Sequence, residues 1–225
     1  MSGSEMIAVL GGTGNEGGGL ALRFAHAGYQ VVIGSRDAVR ADAAASAINE
    51  RIGHSRARGS DNALAVSGAQ IVLLTVPYAG QIKTVEPLRD ALQGKILIDA
   101  TVPLVPPKVS RVQLPGGGSA VANLQALLGD GVRVVSAFQN VSAHHLADLD
   151  HDVDCDVLVC GNDGAACDKV IELVEAIGLR GIYAGTADNS AAAEALTSVL
   201  IAINRRYKVP GSGIRITGLP IREKP

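Results

Sequence analysis

Along nearly the whole chain, short apolar runs closed by glycine or proline alternate with stretches of helical spacing. Met6–Leu10 is an apolar run ending in glycines; residues 20–25 then continue with helical spacing until Gly28 stops them, which reads as strand, tight turn and helix. Residues 30–33 form a second, β-branched run, followed by Ser35-Arg36-Asp37 and an alanine-rich amphipathic stretch over 39–51. Residues 53–61 are polar and read as a loop, with a short helix over 61–67. Further strands are expected at 71–76, 96–100, 133–138 and 156–160, with an edge strand at 181–184. Helices are expected at 80–92, Ala120–Leu128, 164–177 and Ser190–Tyr207. Residues 102–118, with four prolines and three consecutive glycines, read as a loop.

This alternation predicts an α/β fold, a doubly wound and mainly parallel Rossmann sheet with right-handed crossovers and a small C-terminal extension. The expected division is a dinucleotide-binding domain over 1–140 and an extension over 141–225. Aromatics supply only 3% of the residues and tryptophan none, so Val, Ile, Leu and Ala must build the core, as suits a buried parallel sheet.

The phosphate-binding signature is Gly11-Gly12-Thr13-Gly14-Asn15-Glu16-Gly17. Gly12, Gly14 and Gly17 satisfy G-x-G-x-x-G directly after an expected strand and at the opening of a helix, the context in which the pattern is informative. Glycine permits the tight turn, the approach of backbone to pyrophosphate and the packing of helix on strand, while helix amides face the anion. Thr13 adds a hydroxyl. At the end of the second strand, where NAD sites carry an acid for the ribose 2′-hydroxyl, this chain has Gly34-Ser35-Arg36. Arg36 offers a planar cationic fork, Ser35 a hydroxyl, and Arg40 lies four residues on, so a 2′-phosphate and hence NADP(H) is the expected ligand. Asp37 is the competing detail: it could serve a 2′-hydroxyl or sit at the N-terminus of the next helix.

A formal charge of -2 provides no broad basic face for nucleic acid. No apolar run reaches membrane-spanning length, and Met1-Ser2-Gly3-Ser4-Glu5 lacks a secretory pattern, so a cytoplasmic protein without membrane contact is expected. Cys155, Cys160 and Cys167 read as small core residues, since no histidine completes a zinc spacing with them. No tyrosine is followed by lysine in the Tyr-x-x-x-Lys spacing of short-chain dehydrogenases, and too few residues follow Asn140 for the helical domain of a β-hydroxyacid dehydrogenase. His144, His145 and His151 are candidates for acid-base work, weighed against solvated loop residues in an acidic stretch. No catalytic acid or base is assigned. Hydride passing directly between two cofactors held face to face needs little such help.

Several longer blocks resemble one family, the NADP oxidoreductases dependent on the deazaflavin coenzyme F-420 (F420), in its bacterial branch. The likeness rests on residues 8–15 and 34–36, on Leu73-Leu74-Thr75-Val76-Pro77-Tyr78, on residues 135–143 and 154–161, and on Glu194-Ala195-Leu196-Thr197, 203–208 and 213–217. The resemblance implies reversible hydride transfer between nicotinamide C4 of NADP(H) and C5 of the deazaflavin. It implies that Thr13 to Glu16 hold the pyrophosphate, that Ser35, Arg36 and Arg40 hold the 2′-phosphate, and that Val76, Gly80, Val102 and Ala143 line the rest of the nucleotide site. Residues 139–143, including Gln139 and Val141, and the turn around Ser212 would lie where nicotinamide meets deazaflavin. The family often has histidine where this chain has Gln139, which leaves a different hydrogen-bonding pattern to the deazaflavin open. Two other classes remain open from sequence: an NADPH-dependent reductase of a flavin, quinone or pterin, and a non-catalytic NADP(H) sensor. Arg205, Arg206 and Lys208 suit either an anionic cofactor tail or the C-terminus of the last helix. That helix is apolar on more than one face, so a homodimer is expected.

Overall fold

The computed structural model describes residues 5–219; Met1-Ser2-Gly3-Ser4, part of the segment read above for a secretory pattern, lie outside it. Eight strands form one sheet in the order β3-β2-β1-β4-β5-β6-β7-β8. They are β1 (Met6–Leu10), β2 (Gln30–Ser35), β3 (Ala57–Asp61), β4 (Ile71–Leu74), β5 (Ile96–Asp99), β6 (Arg133–Ser136), β7 (Asp156–Gly161) and β8 (Arg180–Tyr183). All neighbours pair in parallel except β6 and β7, which are antiparallel. The helices are α1 (Asn15–His26), α2 (Ala38–Ile52), α3 (Asn62–Ser67), α4 (Gln81–Val85), α5 (Ala120–Leu128), α6 (Ala143–Leu146), α7 (Gly164–Ala176) and α8 (Ser190–Tyr207).

The apolar runs are continuous because both faces of the central strands are buried. Successive side chains alternate between two cores. Ile7, Val9, Val31, Ile33, Ile71 and Leu73 face one core, with Phe24 of α1, Ala45 of α2 and Leu173 of α7. Ala8, Leu10, Val32, Val72 and Leu74 face the other, with Val66 of α3, Val85 of α4 and Leu124 of α5.

Three expectations about local structure are corrected. Residues 53–61, read as a loop, contain the edge strand β3, which pairs with β2 from Val31↔Ala57 to Ser35↔Asp61. Its polar sequence is tolerated at an edge, and it is held by Asn49 of α2. The Asn49 Oδ1 accepts from the Arg56 and Ala57 amides at 2.9 and 2.8 Å, and its Nδ2 donates to the Ala57 carbonyl at 2.7 Å. Residues 80–92, read as one helix, break into a 3-10 turn (Tyr78–Gly80), α4 and a second 3-10 turn (Glu86–Leu88). Pro87 has no amide to donate back to Lys83, so the α-helical ladder stops there. The connection after β6, read as polar and without an assigned element, includes α6, a single turn held from below by Arg23. Its guanidinium donates to the carbonyls of Leu146, His145, Asp148 and His151 at 3.0, 2.9, 2.6 and 3.1 Å.

The three cysteines are buried free thiols, as expected of core residues. Burial pushes the Cys160 and Cys167 thiols up to about 11, so both remain protonated near neutral pH. No helix among the described residues is long and apolar enough to cross a membrane.

Candidate functional site

The strand order reverses direction between β1 and β4, and a crevice opens above the carboxyl ends of these strands, where doubly wound folds bind ligands. It is a cleft of about 1110 Å³. One wall is the β1–α1 turn with Gly11, Thr13 and Gly14; the second is the end of β2 with Ser35, Arg36 and Arg40; the third is formed by Thr75, Val76, Gly80, Lys83 and Thr84.

The β1–α1 turn is built by glycine. Gly11 adopts φ 89°, and its amide donates to the Gly34 carbonyl at 3.3 Å. Gly17 lies against the Thr75 hydroxyl so closely that a Cβ there would collide with it and, at 2.7 Å, with the Gly11 carbonyl oxygen. The third glycine of the motif is thus the contact that lets α1 start directly over β4. Thr75 is in turn fixed to the end of β1, its amide and hydroxyl both donating to the Leu10 carbonyl at 2.9 and 3.0 Å.

α1 begins at Gly14 without a side-chain cap. In contrast, α2, α3, α5 and α7 are each capped by a side chain, from Asp37, Asp61, Ser119 and Asp163. The first-turn amides of α1 are therefore available to an anion, and the helix dipole favours one there.

At the end of β2, Asp37 lines the cleft and caps α2 through one carboxylate oxygen. Its Oδ1 accepts from the Val39 and Arg40 amides at 3.1 and 3.2 Å, while its own amide donates to Ser35 Oγ at 3.1 Å. The acid caps α2, and the same turn leaves the Arg36 and Arg40 side chains exposed on the cleft.

Among the residues expected at the site, Thr13, Gly14, Ser35, Arg36, Arg40, Val76 and Gly80 share this cleft. Gly12 and Gly17 are buried beneath it, and Asn15 and Glu16 form the first turn of α1. Val102 lies in the loop after β5, and Gln139, Val141 and Ala143 follow β6. Ser212 lines a separate hollow of about 240 Å³ with Ser142, His145, His151, Cys155 and Gly213. The sequence reading did not single out Asn62, Lys83 or Thr84, all in the cleft wall. Lys83 carried no motif, since it reaches the cleft only because α4 is set between two 3-10 turns.

The loop after β6 is pinned from several sides. Phe138 has φ 77°, a left-handed conformation that a bulky side chain rarely adopts, and it is fully buried. The Gln139 carbonyl accepts from Thr197 Oγ1 at 2.6 Å, and Gln139 Nε2 donates to the Asp99 carbonyl at 2.7 Å. Asn140 Nδ2 donates to the Asp156 carbonyl at 2.6 Å. Thr197 is itself positioned by α8, which Glu194 locks to α5: its buried carboxylate accepts from the Ala120 and Val121 amides at 2.8 and 3.2 Å and from Ser119 Oγ at 2.7 Å.

Beside this loop, at the end of β5, Asp99 is fully buried. Gln81 Nε2 donates to its Oδ2 at 2.5 Å and the Thr101 amide to its Oδ1 at 2.8 Å. Burial nevertheless pushes its carboxyl up to about 6, against these hydrogen bonds and with the Glu194 charge adding to the rise. Glu16, in the first turn of α1, is pushed up to about 8, first by desolvation and then by the Asp99 charge.

The chain is 43% identical to an F420-dependent NADP reductase of Methanothermobacter thermautotrophicus over 96% of its length and 97% of that protein's. It is 42% identical to an F420-dependent NADP reductase of Methanocaldococcus jannaschii over 96% and 99% of the two chains. Residues 6–103 match the family model of NADP oxidoreductase, coenzyme F420-dependent. The chain belongs to this F420-dependent NADP oxidoreductase family. Among solved structures, a candidate F420-dependent NADP reductase from Arthrobacter sp. FB24 superposes with a TM-score of 0.78 at 27% identity, covering 94% of this chain and 98% of that one. The family model spans β1 to the start of the loop after β5, and the near-full-length likeness carries on through the loop after β6 and α8.

Proposed function

We propose that the protein is an NADPH-dependent F420 reductase that transfers a hydride reversibly between nicotinamide C4 of NADP(H) and C5 of the deazaflavin. The observation that carries the choice of dinucleotide is the end of β2, where Ser35, Arg36 and Arg40 line the cleft and the one acid beside them, Asp37, caps α2. The bound dinucleotide supplies the hydride; the chain supplies orientation, charge and exclusion of water.

In this reading the uncapped first turn of α1, Gly14 to Glu16 with Thr13, holds the pyrophosphate. Arg36 and Arg40, with the Ser35 hydroxyl, clasp the 2′-phosphate in charge-assisted hydrogen bonds. Val76, Gly80, Val102 and Ala143 line the path toward the nicotinamide. Gln139 and Val141, held by Thr197 and Asn140, and Ser212 flank the meeting place of the two rings. The cleft suits the dinucleotide in chemistry, since two guanidinium groups and the Lys83 ammonium face an anion of several negative charges. Residues 1–140 would bind the nucleotide and 141–225 complete the deazaflavin side.

Exposed apolar side chains on α8, among them Val199, Ile203 and Tyr207, support a homodimer through that helix, and the reading places the enzyme in the cytoplasm.

Direct transfer is tested with NADPH deuterated at nicotinamide C4. Mass spectrometry of the product should find deuterium retained on the deazaflavin; reduction with the label lost to water would refute direct transfer between the two rings.

A further inference from the structure

Charge is unevenly placed along this chain. Acidic residues number 22 in 225, about one in ten, yet none occurs over 100–129 or over 195–219. These two stretches hold six cations: Lys108 and Arg111 in the loop after β5, Arg205 and Arg206 in the last turn of α8, and Lys208 and Arg215 beyond it. The fold brings the stretches together. Ser198 Oγ donates to the Arg111 carbonyl at 3.4 Å, and two turns along the same face of α8 Arg205 Nη1 donates to Ser110 Oγ at 3.0 Å. α5, which packs on α8, carries no charge over Ala120–Leu128, and the acid of α8, Glu194, is buried at the other end of the helix as a cap for α5. Arg215 is paired with Asp154 at 2.6 Å, whereas Lys108, Arg111, Arg205, Arg206 and Lys208 are exposed and make no ion pair among the described residues.

Favourable charge at a helix C-terminus accounts for only part of this cluster. The Asn204 carbonyl, near the end of α8, already receives the Lys208 and Val209 amides, and the Arg205 guanidinium turns to Ser110 instead. Lys108 and Arg111 stand on no helix. The basic surface is also continuous with the loop after β6, because Thr197, next to Ser198, donates to the Gln139 carbonyl at 2.6 Å. From Thr197 to Arg205 the helix rises about 12 Å, at about 1.5 Å per residue. A molecule whose ring lies at the Gln139 loop therefore meets these cations with whatever it carries about that far from the ring, and five exposed cations without an acid among them select an anion.

We propose that Lys108, Arg111, Arg205, Arg206 and Lys208 bind an anionic side chain of the hydride acceptor, so that the enzyme prefers a deazaflavin with a polyanionic tail to one that ends at its polyol chain. The inference rests on the F420 reading given above, since F420 carries a phosphodiester and carboxylates beyond its ribityl chain. The cations act on capture of the acceptor, so their effect falls on its KM and is screened by salt.

The test compares, at saturating NADPH, oxidised F420 with the same deazaflavin ring bearing only its ribityl chain. The kcat/KM for F420 should exceed that for the tail-less acceptor, and the ratio should fall as salt rises from about 0.01 M to about 1 M, over which the screening length shrinks from about 30 to about 3 Å. Arg205→Ala, Arg111→Ala and Lys108→Ala should each lower the ratio about two- to fivefold, the worth of one exposed ion pair, through a higher KM for F420. Arg205→Lys should keep most of the ratio and Arg205→Glu should lower it further. A ratio near one at every salt concentration, or a ratio that all three alanine variants leave at the wild-type value, overturns the inference while leaving F420 reduction standing. Both acceptors staying oxidised overturns the proposed reaction and the inference with it.

Discussion

The carboxylate of Asp37 accepts the backbone amide of Arg40 at 3.2 Å, so the acid nearest the expected ribose position is tied to the turn that displays the arginine. Discrimination between the two dinucleotides therefore turns on cations. Arg36→Ala and Arg40→Ala should each weaken NADPH binding by about 10- to 100-fold, the worth of a charge-assisted hydrogen bond at about 1.5–3 kcal/mol, and leave NADH binding nearly unchanged. Titration of each variant with both dinucleotides checks this. An equal loss for NADH would mean that the arginines do not read the 2′-phosphate.

Asp37 itself should behave as a cap. Asp37→Asn keeps an acceptor for the α2 amides and should preserve both stability and NADPH preference, whereas Asp37→Ala should cost about 1 kcal/mol of stability. Thermal melts of the two variants, with titration of both dinucleotides, separate the cap from any direct role: a stable Asp37→Asn protein whose preference for NADPH over NADH rises markedly would show that the acid acts on the ligand.

Gly17→Ala places a methyl group against Thr75 Oγ1 and the Gly11 carbonyl, both held by backbone of the same turn. Overpacking of this kind costs about 1–3 kcal/mol, and here the strain falls on the phosphate loop. Loss of NADPH affinity larger than the loss of thermal stability is expected. Gly17→Ala combined with Thr75→Ser leaves the hydroxyl in place and should rescue neither; Thr75→Ala in the same background should rescue part of both.

Stability should carry the signature of these raised carboxyls. Both Glu16 and Asp99 are raised in the folded chain, so the native state binds protons more tightly than the unfolded one and each costs stability as pH rises. The cost of Glu16 sets in above its ordinary 4.5 and is complete by about 8. In the absence of nucleotide, Glu16→Gln should melt progressively higher than the wild type across that window, with a constant gap above it. A gap that is constant from acid to alkaline pH would show that Glu16 ionises as freely in the native chain as in the unfolded one.

Much of the architecture is written in local pattern. The strands of the centre show as continuous Val, Ile and Leu runs because both faces are buried, and α8 was legible at both ends because Ser190 follows a polar turn and Lys208 ends the apolar spacing. β3 was not legible, because an edge strand stabilised by Asn49 needs no apolar sequence of its own. The break at Pro87 was available in the sequence and outweighed by the spacing around it. Of the site, the phosphate loop and the arginines are contiguous and could be read directly. Lys83 and Asn62 enter the cleft, and Arg23 reaches four carbonyls more than a hundred residues away, through tertiary contacts that leave no mark on local sequence.

The central claim is tested most directly by mixing the purified protein with NADPH and oxidised F420 and following the deazaflavin absorbance, with NADH in parallel. The account predicts rapid bleaching with NADPH, a much weaker response with NADH, and loss of the NADPH preference in Arg36→Ala. NADPH that binds while the deazaflavin stays oxidised would contradict it, leaving the nucleotide site in place and the second substrate wrong.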